Sequence, residues 1–176
     1  KLNTFQKKTI LITGAGGSIG SELSRQISRL NPKKLILLDN NEFGLFKISG
    51  QLENKCISSI TDVRDEEKVI KLLKYYKPNY IFHAAALKHI TFVEDEPEEA
   101  LKTNFLATVN LCQLSIKYNV EKMIFISTDK AVYPSNIMGA TKRLCEKYIQ
   151  EISKKNVSTN FSIVRFGNVL GSTGSV

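Results

Sequence analysis

The sequence lacks several features that would place it in a special class of protein. Its 176 residues contain no charged-then-apolar leader, and no apolar run approaches the roughly 20 residues that cross a bilayer. No tract of low complexity interrupts the chain, and 42% of its residues are hydrophobic. Length and composition therefore predict one soluble globular domain over 1–176 that is large enough to bury a core.

Cysteine is also scarce. The three cysteines, Cys56, Cys112 and Cys145, form no Cys-x-x-Cys pair and have no histidine near them in the sequence. An odd and sparse set of this kind argues against a disulfide framework and against a zinc site. We therefore expect buried free thiols in a reducing compartment, and no metal.

Blocks of like charge are missing, although the formal net charge is +8. Arginine, the side chain that most often reads bases, is rare here. Scattered lysines favour a solubilising role over a nucleic-acid surface, and an anionic small ligand fits the positive balance equally well. We therefore expect no nucleic-acid partner and, from these residues, no membrane contact.

What the sequence does contain is an alternation of short apolar runs with longer segments of helical periodicity. Continuous apolar strands separated by helices indicate a parallel sheet that is buried on both faces. Right-handed crossovers then make this a doubly wound α/β sheet, the Rossmann fold. The predicted strands are 9–13, 34–38, 56–60, 80–85, 122–127 and 161–166, and the predicted helices are 19–30, 42–53, 65–76, 97–119 and 138–154.

The segment ITGAGGSIGSEL joins the first predicted strand to the first predicted helix. Gly14 permits a tight turn, Gly17 lets the backbone approach a pyrophosphate, and Gly20 lets helix and strand pack closely. The start of the helix, with Ser18 and Ile19, would then face the anion. A strand, a glycine-rich loop and a helix in this order predict a dinucleotide-binding site.

Acidic residues follow the second and third predicted strands. Asp39 comes about 20 residues after the glycine loop, where a carboxylate binds the adenosine ribose 2′-hydroxyl, and Asn40 follows it. Because a carboxylate would repel a 2′-phosphate, NAD is favoured over NADP; the alternative for Asp39 is a solvated or capping residue. Asp62 and Val63 could hold the adenine edge, and the alternative for Asp62 is the N-cap of the next helix.

Small side chains end the fourth predicted strand. Ala84, Ala85 and Ala86 would let the cofactor lie flat against the backbone, although simple alanine packing would give the same sequence. His83, just before them, is expected to be a hydrogen-bonded strand-end residue and not a catalyst.

Together with these segments, the motifs HAAALKH, STDKAV-P-N-MGATKR and RFGNVLGS-GSV resemble the extended short-chain dehydrogenase/reductase superfamily. More narrowly, they resemble the CapD-like nucleotide-sugar 4,6-dehydratases acting on UDP-N-acetylglucosamine. The resemblance runs along essentially the whole chain and implies a UDP-4-keto-6-deoxy sugar product, made with tightly bound NAD for surface polysaccharide or glycan biosynthesis. It also implies that the C-terminal substrate-binding part is largely absent, so that 1–176 is a truncated NAD-binding domain.

We further expect a homo-oligomer. The expected location is cytoplasmic, or the cytoplasmic domain of an inner-membrane protein if the full chain carries transmembrane helices.

Two residues depart from the family pattern. Leu87 stands where the group usually has an aromatic residue, and Met138 stands where the shorter soluble relatives have tyrosine. In the superfamily, that tyrosine removes the C4-hydroxyl proton and lies four residues before a lysine, here Lys142, so both share one helix face. Methionine can neither accept nor donate a proton, so the proton transfers must come from elsewhere.

The resemblance assigns these transfers to the segment after the fifth predicted strand. Asp129 is assigned as the acid that helps water leave C6, Lys130 as the base near C5, and Thr128 as a hydroxyl partner of the sugar O4. The role of Lys130 requires it to be partly neutral near pH 7. Lys142 would hold the nicotinamide ribose and supply positive charge. The alternative is an exposed Asp129–Lys130 loop pair beside an ordinary core methionine.

On the sugar side, the resemblance implies Lys88 and His89 at the cleft rim and Asn168 near the sugar nucleotide. Asn104 lies inside a long predicted helix, where the superfamily uses such a residue to bend the helix. Arg165 is expected to be structural.

Two competing functions stay open at this point. A C4 epimerase needs only the oxidation at C4 but relies on the tyrosine, so Met138 speaks against it. A cofactor-binding domain without turnover would not need the Asp129–Lys130 pair.

Overall fold

The computed structural model of the protein describes residues 4–53, 55–155 and 157–169. The strands in these ranges form one parallel sheet in the order β3-β2-β1-β4-β5-β6, which confirms the doubly wound fold. The strands are β1 (Thr9–Thr13), β2 (Lys34–Asp39), β3 (Ile57–Ile60), β4 (Tyr80–His83), β5 (Lys122–Thr128) and β6 (Asn160–Phe166).

Helices connect the strands and cover both faces of the sheet. They are α1 (Ser18–Arg29), α2 (Glu42–Gln51), α3 (Glu66–Tyr76), α4 (Ile90–Asp95), α5 (Pro97–Ala100), α6 (Ala107–Lys117) and α7 (Ile137–Ser153). A π-helical segment, Leu101–Leu106, joins α5 to α6, and a 3₁₀ turn, Asp129–Ala131, follows β5. Among the described residues, no helix has the length and apolar character needed to cross a membrane.

The core lies in two layers because successive strand residues point to opposite faces. On β1, Ile10 and Ile12 belong to an apolar cluster with residues of α1 and α2. Leu11, between them, belongs to a larger cluster with residues of α3, α6 and α7. Cys112 and Cys145 are buried in that larger cluster as free thiols, and Cys56 is a half-buried free thiol. This alternation explains why the predicted strands read as continuous apolar runs.

The structure corrects the sequence prediction between residues 84 and 119. Strand β4 ends at His83, so Ala84 and Ala85 lie in the loop that follows and not in the strand. The helix predicted over 97–119 is divided by the π-helical segment, and the short helix α4 before it was not predicted. Apolar periodicity does not reveal a π turn, because such turns occur as short bulges that leave the chain helical on both sides.

Asn104 explains the break in the helix. Its side-chain oxygen accepts the Leu87 N–H at 2.8 Å, and its amide nitrogen donates to the Leu87 carbonyl at 3.0 Å and to Thr141 Oγ1 at 3.1 Å. Its own carbonyl accepts from Thr108 Oγ1 at 2.6 Å and from Cys145 Sγ at 3.0 Å. The π-helical segment therefore holds the loop after β4 against α7.

Candidate active site

A cleft of about 740 Å³ runs along the carboxyl ends of the strands. It crosses the point between β1 and β4 where the strand order reverses, which is where open α/β sheets bind their ligands. We call it the strand-end cleft. The predicted site residues that line it are Gly14, Gly17, Ser18, Ile19, Gly20, Asp39, Asn40, Asp62, Val63, Ala84, Ala85, Ala86, Lys88, His89, Thr128, Lys130, Lys142 and Asn168. Asp129 is the predicted site residue that does not line it.

The glycine loop leaves room for an anion at the start of α1. Gly14 has a φ of +67°, and a Cβ there would lie 2.5 Å from the backbone nitrogen of Ala85. A Cβ on Gly20 would overlap the carbonyl oxygen of Gly14, whereas a Cβ on Gly17 would meet that oxygen only at 3.3 Å. Gly17 is the N-cap of α1 and supplies no side-chain cap. This backbone cradle at a helix N-terminus fits a pyrophosphate group.

Asp39 fastens the glycine loop to the end of β2. Its Oδ2 accepts the backbone N–H of Gly16 at 2.8 Å, and its Oδ1 accepts the backbone N–H of Asn41 at 2.9 Å. Each carboxylate oxygen keeps a second acceptor position, so the side chain can still accept from a ribose hydroxyl. The ribose role of Asp39 stays a prediction.

Asp62 is not the N-cap of the next helix. Asp65 has that position, with its side chain accepting the Lys68 N–H at 3.0 Å. Asp62 instead pairs with Arg64, whose Nη2 lies 2.6 Å from Oδ2. The hydrogen bond from the Arg64 side chain holds the pKa of Asp62 below its usual value. The carboxylate therefore stays charged beside Val63 at the cleft.

A hydrogen-bonded chain runs from Thr128, the last residue of β5, to Asn168, which lies just after β6. Thr128 Oγ1 donates to Asp129 Oδ1 at 3.0 Å, and Lys130 Nζ lies 3.3 Å from the same oxygen. Lys130 Nζ also donates to Asn168 Oδ1 at 2.9 Å. The Asp129 side chain is 58% exposed. It is therefore connected to the strand-end cleft through its neighbours Thr128 and Lys130.

These contacts also set the charge of Asp129. The hydrogen bonds from the Thr128 hydroxyl and the Lys130 ammonium, in that order, hold the pKa of Asp129 below its usual value. Asp129 is therefore a carboxylate at neutral pH, and it must first receive a proton before it can act as an acid.

Lys142 extends from α7 into the buried end of the cleft, and only 6% of it is exposed. Its Nζ donates to the carbonyl of Ile126 at 2.9 Å and lies 4.5 Å from the centre of the Phe125 ring. Burial lowers the pKa of Lys142 to about 8. This lysine can therefore lose its charge at mildly alkaline pH.

Met138 lies one turn before Lys142 and is both a core residue and a cleft residue. It is 6% exposed and packs in a small cluster with Val93 and Ala100, and it also lines the strand-end cleft. Met138 thus presents an apolar side chain to the site.

His83 is a hydrogen-bonded core residue, as expected from the sequence. Its ring nitrogens lie 2.6 Å from Thr13 Oγ1 and 2.9 Å from Thr108 Oγ1. Burial, and then the charge of Lys142, lower its pKa to about 3. His83 is therefore neutral throughout the physiological range and ties β4 to β1 and α6.

The rim of the cleft carries the residues predicted on the sugar side. Lys88 and His89 are exposed there, and His89 is the N-cap of α4. The end of the quoted RFGNVLGS-GSV motif, 170–176, lies outside the described residues.

Several residues that the sequence analysis did not single out also line the cleft. Three of them are neighbours of predicted site residues at the carboxyl ends of strands: Asn41, Thr61 and Ser127. Their position at the strand ends could have predicted that they line the cleft. Thr103 lies on the π-helical segment, and no sequence pattern predicted that it would face the cleft.

Comparison with known proteins identifies the family. The sequence model of the family described as "Polysaccharide biosynthesis protein" matches residues 10–176. The capsular polysaccharide biosynthesis protein CapD of Staphylococcus aureus is 46% identical over 175 residues, which cover 96% of this chain and 29% of that protein. The UDP-N-acetylglucosamine 4,6-dehydratase (inverting) of Campylobacter jejuni is 36% identical over 176 residues, 98% of this chain and 52% of that protein.

Other relatives have a different name. The UDP-glucose 4-epimerase of Rickettsia bellii is 39% identical over 184 residues, which cover 98% of this chain and 52% of that protein. Among solved structures, Pen from Bacillus thuringiensis superposes with a TM-score of 0.92 at 35% identity, over 98% of this chain and 54% of that one. The chain thus spans about half, or less, of the length of these relatives. By its sequence and fold, it belongs to the polysaccharide biosynthesis family of CapD-like extended short-chain dehydrogenases.

Proposed function

We propose that the full-length protein is a UDP-N-acetylglucosamine 4,6-dehydratase that uses bound NAD and makes a UDP-4-keto-6-deoxy sugar for surface polysaccharide. The observation that carries the proposal is the hydrogen-bonded chain Thr128–Asp129–Lys130–Asn168, which begins and ends at the strand-end cleft containing Lys142. It supplies proton-transfer groups at a site where Met138 supplies none. The name of the Campylobacter relative supports this reaction. The name of the Staphylococcus relative supports a role in polysaccharide biosynthesis.

The residues that would hold NAD lie in order along the cleft. The glycine loop and the start of α1 would bind the pyrophosphate, Asp39 the adenosine ribose, and Asp62 and Val63 the adenine edge. The alanines after β4 would lie against the dinucleotide, and Lys142 would hold the nicotinamide ribose. When bound, NAD would take a hydride from sugar C4 and later return it to C6.

The first proton transfer uses Thr128 and Asp129. Thr128 Oγ1 already donates to Asp129 Oδ1, so a proton leaving the C4 hydroxyl can pass to Thr128 as Thr128 passes its own to Asp129. Because Asp129 starts as a carboxylate, it can accept this proton. Asp129 can then give it to the C6 hydroxyl, which leaves as water. This order reconciles its acid role with its low pKa.

The second transfer uses Lys130, which takes the C5 proton after C4 has become a ketone. Its Nζ lies 3.3 Å from Asp129 Oδ1 and 2.9 Å from Asn168 Oδ1, and these contacts hold it at the cleft. In this role the amine of Lys130 is neutral: it takes the C5 proton, exchanges it with solvent as the ammonium, and returns one proton to C5 when C6 is reduced, which leaves the amine neutral again.

The epimerase alternative is favoured by the names of the Rickettsia relatives. A C4 epimerase requires a base for the C4 hydroxyl but no acid at C6 and no base at C5. The presence of an acid for C6, Asp129, and a base for C5, Lys130, therefore favours dehydration, and so does Met138 in place of a proton-transfer group.

Proton NMR in D₂O of the full-length protein with UDP-N-acetylglucosamine and NAD⁺ tests the reaction. A new C6 methyl signal with loss of the C5 proton is expected. A UDP-N-acetylgalactosamine spectrum would identify an epimerase, and an unchanged spectrum with NAD bound would contradict turnover of this sugar.

Two substitutions then test the roles. Asp129→Asn and Lys130→Ala should each keep NAD binding and reduce methyl formation by at least about 100-fold, as loss of a general acid or base does. Glu151→Gln and Lys154→Ala are matched controls, because these residues form an exposed ion pair on and just after α7. The assignment is wrong if Asp129→Asn or Lys130→Ala turns over as fast as the controls.

A further inference from the structure

Glu146 is a fully buried carboxylate on α7 with 0% of its surface exposed. Its Oε1 accepts from Ser127 Oγ at 2.7 Å and from Arg165 Nε at 2.8 Å. Its Oε2 accepts from Arg165 Nη2 at 2.7 Å and from Arg143 Nη1 at 3.2 Å. We call these four residues the Glu146 cluster. The proposed proton transfers use none of them.

The cluster joins the elements that carry the reactive groups. Ser127 immediately precedes Thr128, and Arg165 is three residues before Asn168. Ser127 and Arg165 are also register partners in the pairing of β5 with β6. Glu146 itself lies one helical turn after Lys142, so its side chain and that of Lys142 project from one side of α7.

A buried carboxylate needs this set of donors to stay charged. Burial alone would raise the pKa of Glu146, but the hydrogen bonds from Arg165 and Ser127 and the charge of Arg165 outweigh it, and the pKa is lowered. A charge-assisted, two-point contact with Arg165 also fixes direction better than a single hydrogen bond does. The cluster therefore specifies the position of β5 and β6 relative to α7 at their carboxyl ends.

We propose that Glu146 is a positioning residue of the active site, which sets the distance from Lys142 to the Thr128–Asp129–Lys130 segment and to Asn168. This inference rests on the proposed function for its effect on turnover. The same hydrogen bonds predict a local effect on the backbone that does not depend on any substrate. Catalysis depends steeply on such distances, so a small loosening should reduce the rate strongly.

The test compares Glu146→Gln with Glu151→Gln in the full-length protein. Glu151 is on the same helix, but its partner is the exposed Lys154, so the control makes the same chemical change without touching β5 or β6. Amide hydrogen exchange should rise in 126–131 and 164–168 of Glu146→Gln only. The kcat for UDP-N-acetylglucosamine should fall at least about 10-fold, with NAD affinity and KM changed less than about 3-fold.

The outcomes separate this inference from the proposed function. Unchanged exchange in both segments, or raised exchange with unchanged kcat, would overturn the positioning role. A fall in NAD affinity as large as the fall in kcat, together with a lower melting temperature, would also overturn it in favour of a general structural role. If the wild type does not turn over the sugar, the proposed function fails, and the exchange comparison still decides whether Glu146 holds the two strand ends.

A milder variant covers the case in which Glu146→Gln fails to fold. Ser127→Ala removes one bond to β5 and leaves the pairing of Glu146 with Arg165. Raised exchange in 126–131 but not in 164–168, with a roughly 3- to 10-fold lower kcat, is expected. Exchange equal to that of the wild type would overturn the proposal.

Discussion

The ammonium nitrogen of Lys142 lies 4.5 Å from the centre of the Phe125 ring, so a buried cation rests on an aromatic face of the core. The ring and the Ile126 carbonyl together replace part of the water that the cation loses. Burial nevertheless outweighs them, because the pKa of Lys142 is lowered to about 8.

The substitution Lys142→Met should change how stability depends on pH. Between about pH 8 and the unfolded value of 10.5, the unfolded chain binds a proton that the folded wild type has released. Stability of the wild type should therefore rise relative to the variant as the pH increases through this window, by up to about 3 kcal/mol.

Denaturant unfolding of both proteins from about pH 7 to pH 10 measures this difference, and the titration of the other lysines largely cancels between them. A difference in stability that stays constant with pH would show that burial does not lower the pKa of Lys142.

Gly17→Ala should weaken NAD binding at least about 10-fold with little change in stability, because the new methyl group enters the anion cradle and meets only the Gly14 carbonyl. Gly50→Ala is the matched control. Nothing lies within 4 Å of a Cβ at Gly50, so this helix substitution should leave binding unchanged and stabilise the fold by about 0.5–1 kcal/mol. Calorimetric titration with NAD and thermal melting measure both effects. Tight NAD binding by Gly17→Ala would place the pyrophosphate elsewhere.

Met138→Leu should keep kcat/KM for the sugar nucleotide within about 3-fold of the wild type. Leucine has a similar volume and fills the contact with Val93 and Ala100, and neither side chain can move a proton. A steady-state assay of 4-keto sugar formation measures the ratio. A loss of 100-fold or more would assign methionine a chemical role that the proposed mechanism does not contain.

Asp39→Asn should weaken NAD binding about 10-fold and narrow the difference in affinity between NAD and NADP. The amide oxygen can still accept the N–H of either Gly16 or Asn41, while the charge that repels a 2′-phosphate is removed. Parallel titrations with both cofactors give the two affinities. Equal affinity of the wild type for NAD and NADP would refute the discriminating role of Asp39.

The sequence was sufficient to predict that each strand forms and where the glycine loop lies, because these depend on local rules. A continuous apolar run predicts strand 9–13. The glycines after it predict the loop, because a side chain at Gly14 or Gly20 would overlap backbone atoms. The π-helical segment could not be predicted, because it depends on contacts of Asn104 with Leu87 and Thr141, far away in the chain. The Glu146 cluster could not be predicted for the same reason. A glutamate among charged residues of a helix is expected to be solvent-exposed, and only the fold shows that Arg165 of β6 lies beside it.

The reversal of strand order between β1 and β4 also separates two tasks along the chain. Every residue expected to recognise the adenosine half of the cofactor precedes residue 64, and every residue expected to move a proton follows residue 127. Replacing residues 4–82 by those of a relative should therefore transfer that relative's preference for NAD or NADP, while the reaction on the sugar stays the same. The choice of cofactor and the reaction on the sugar can then evolve separately, because they depend on different segments of the chain.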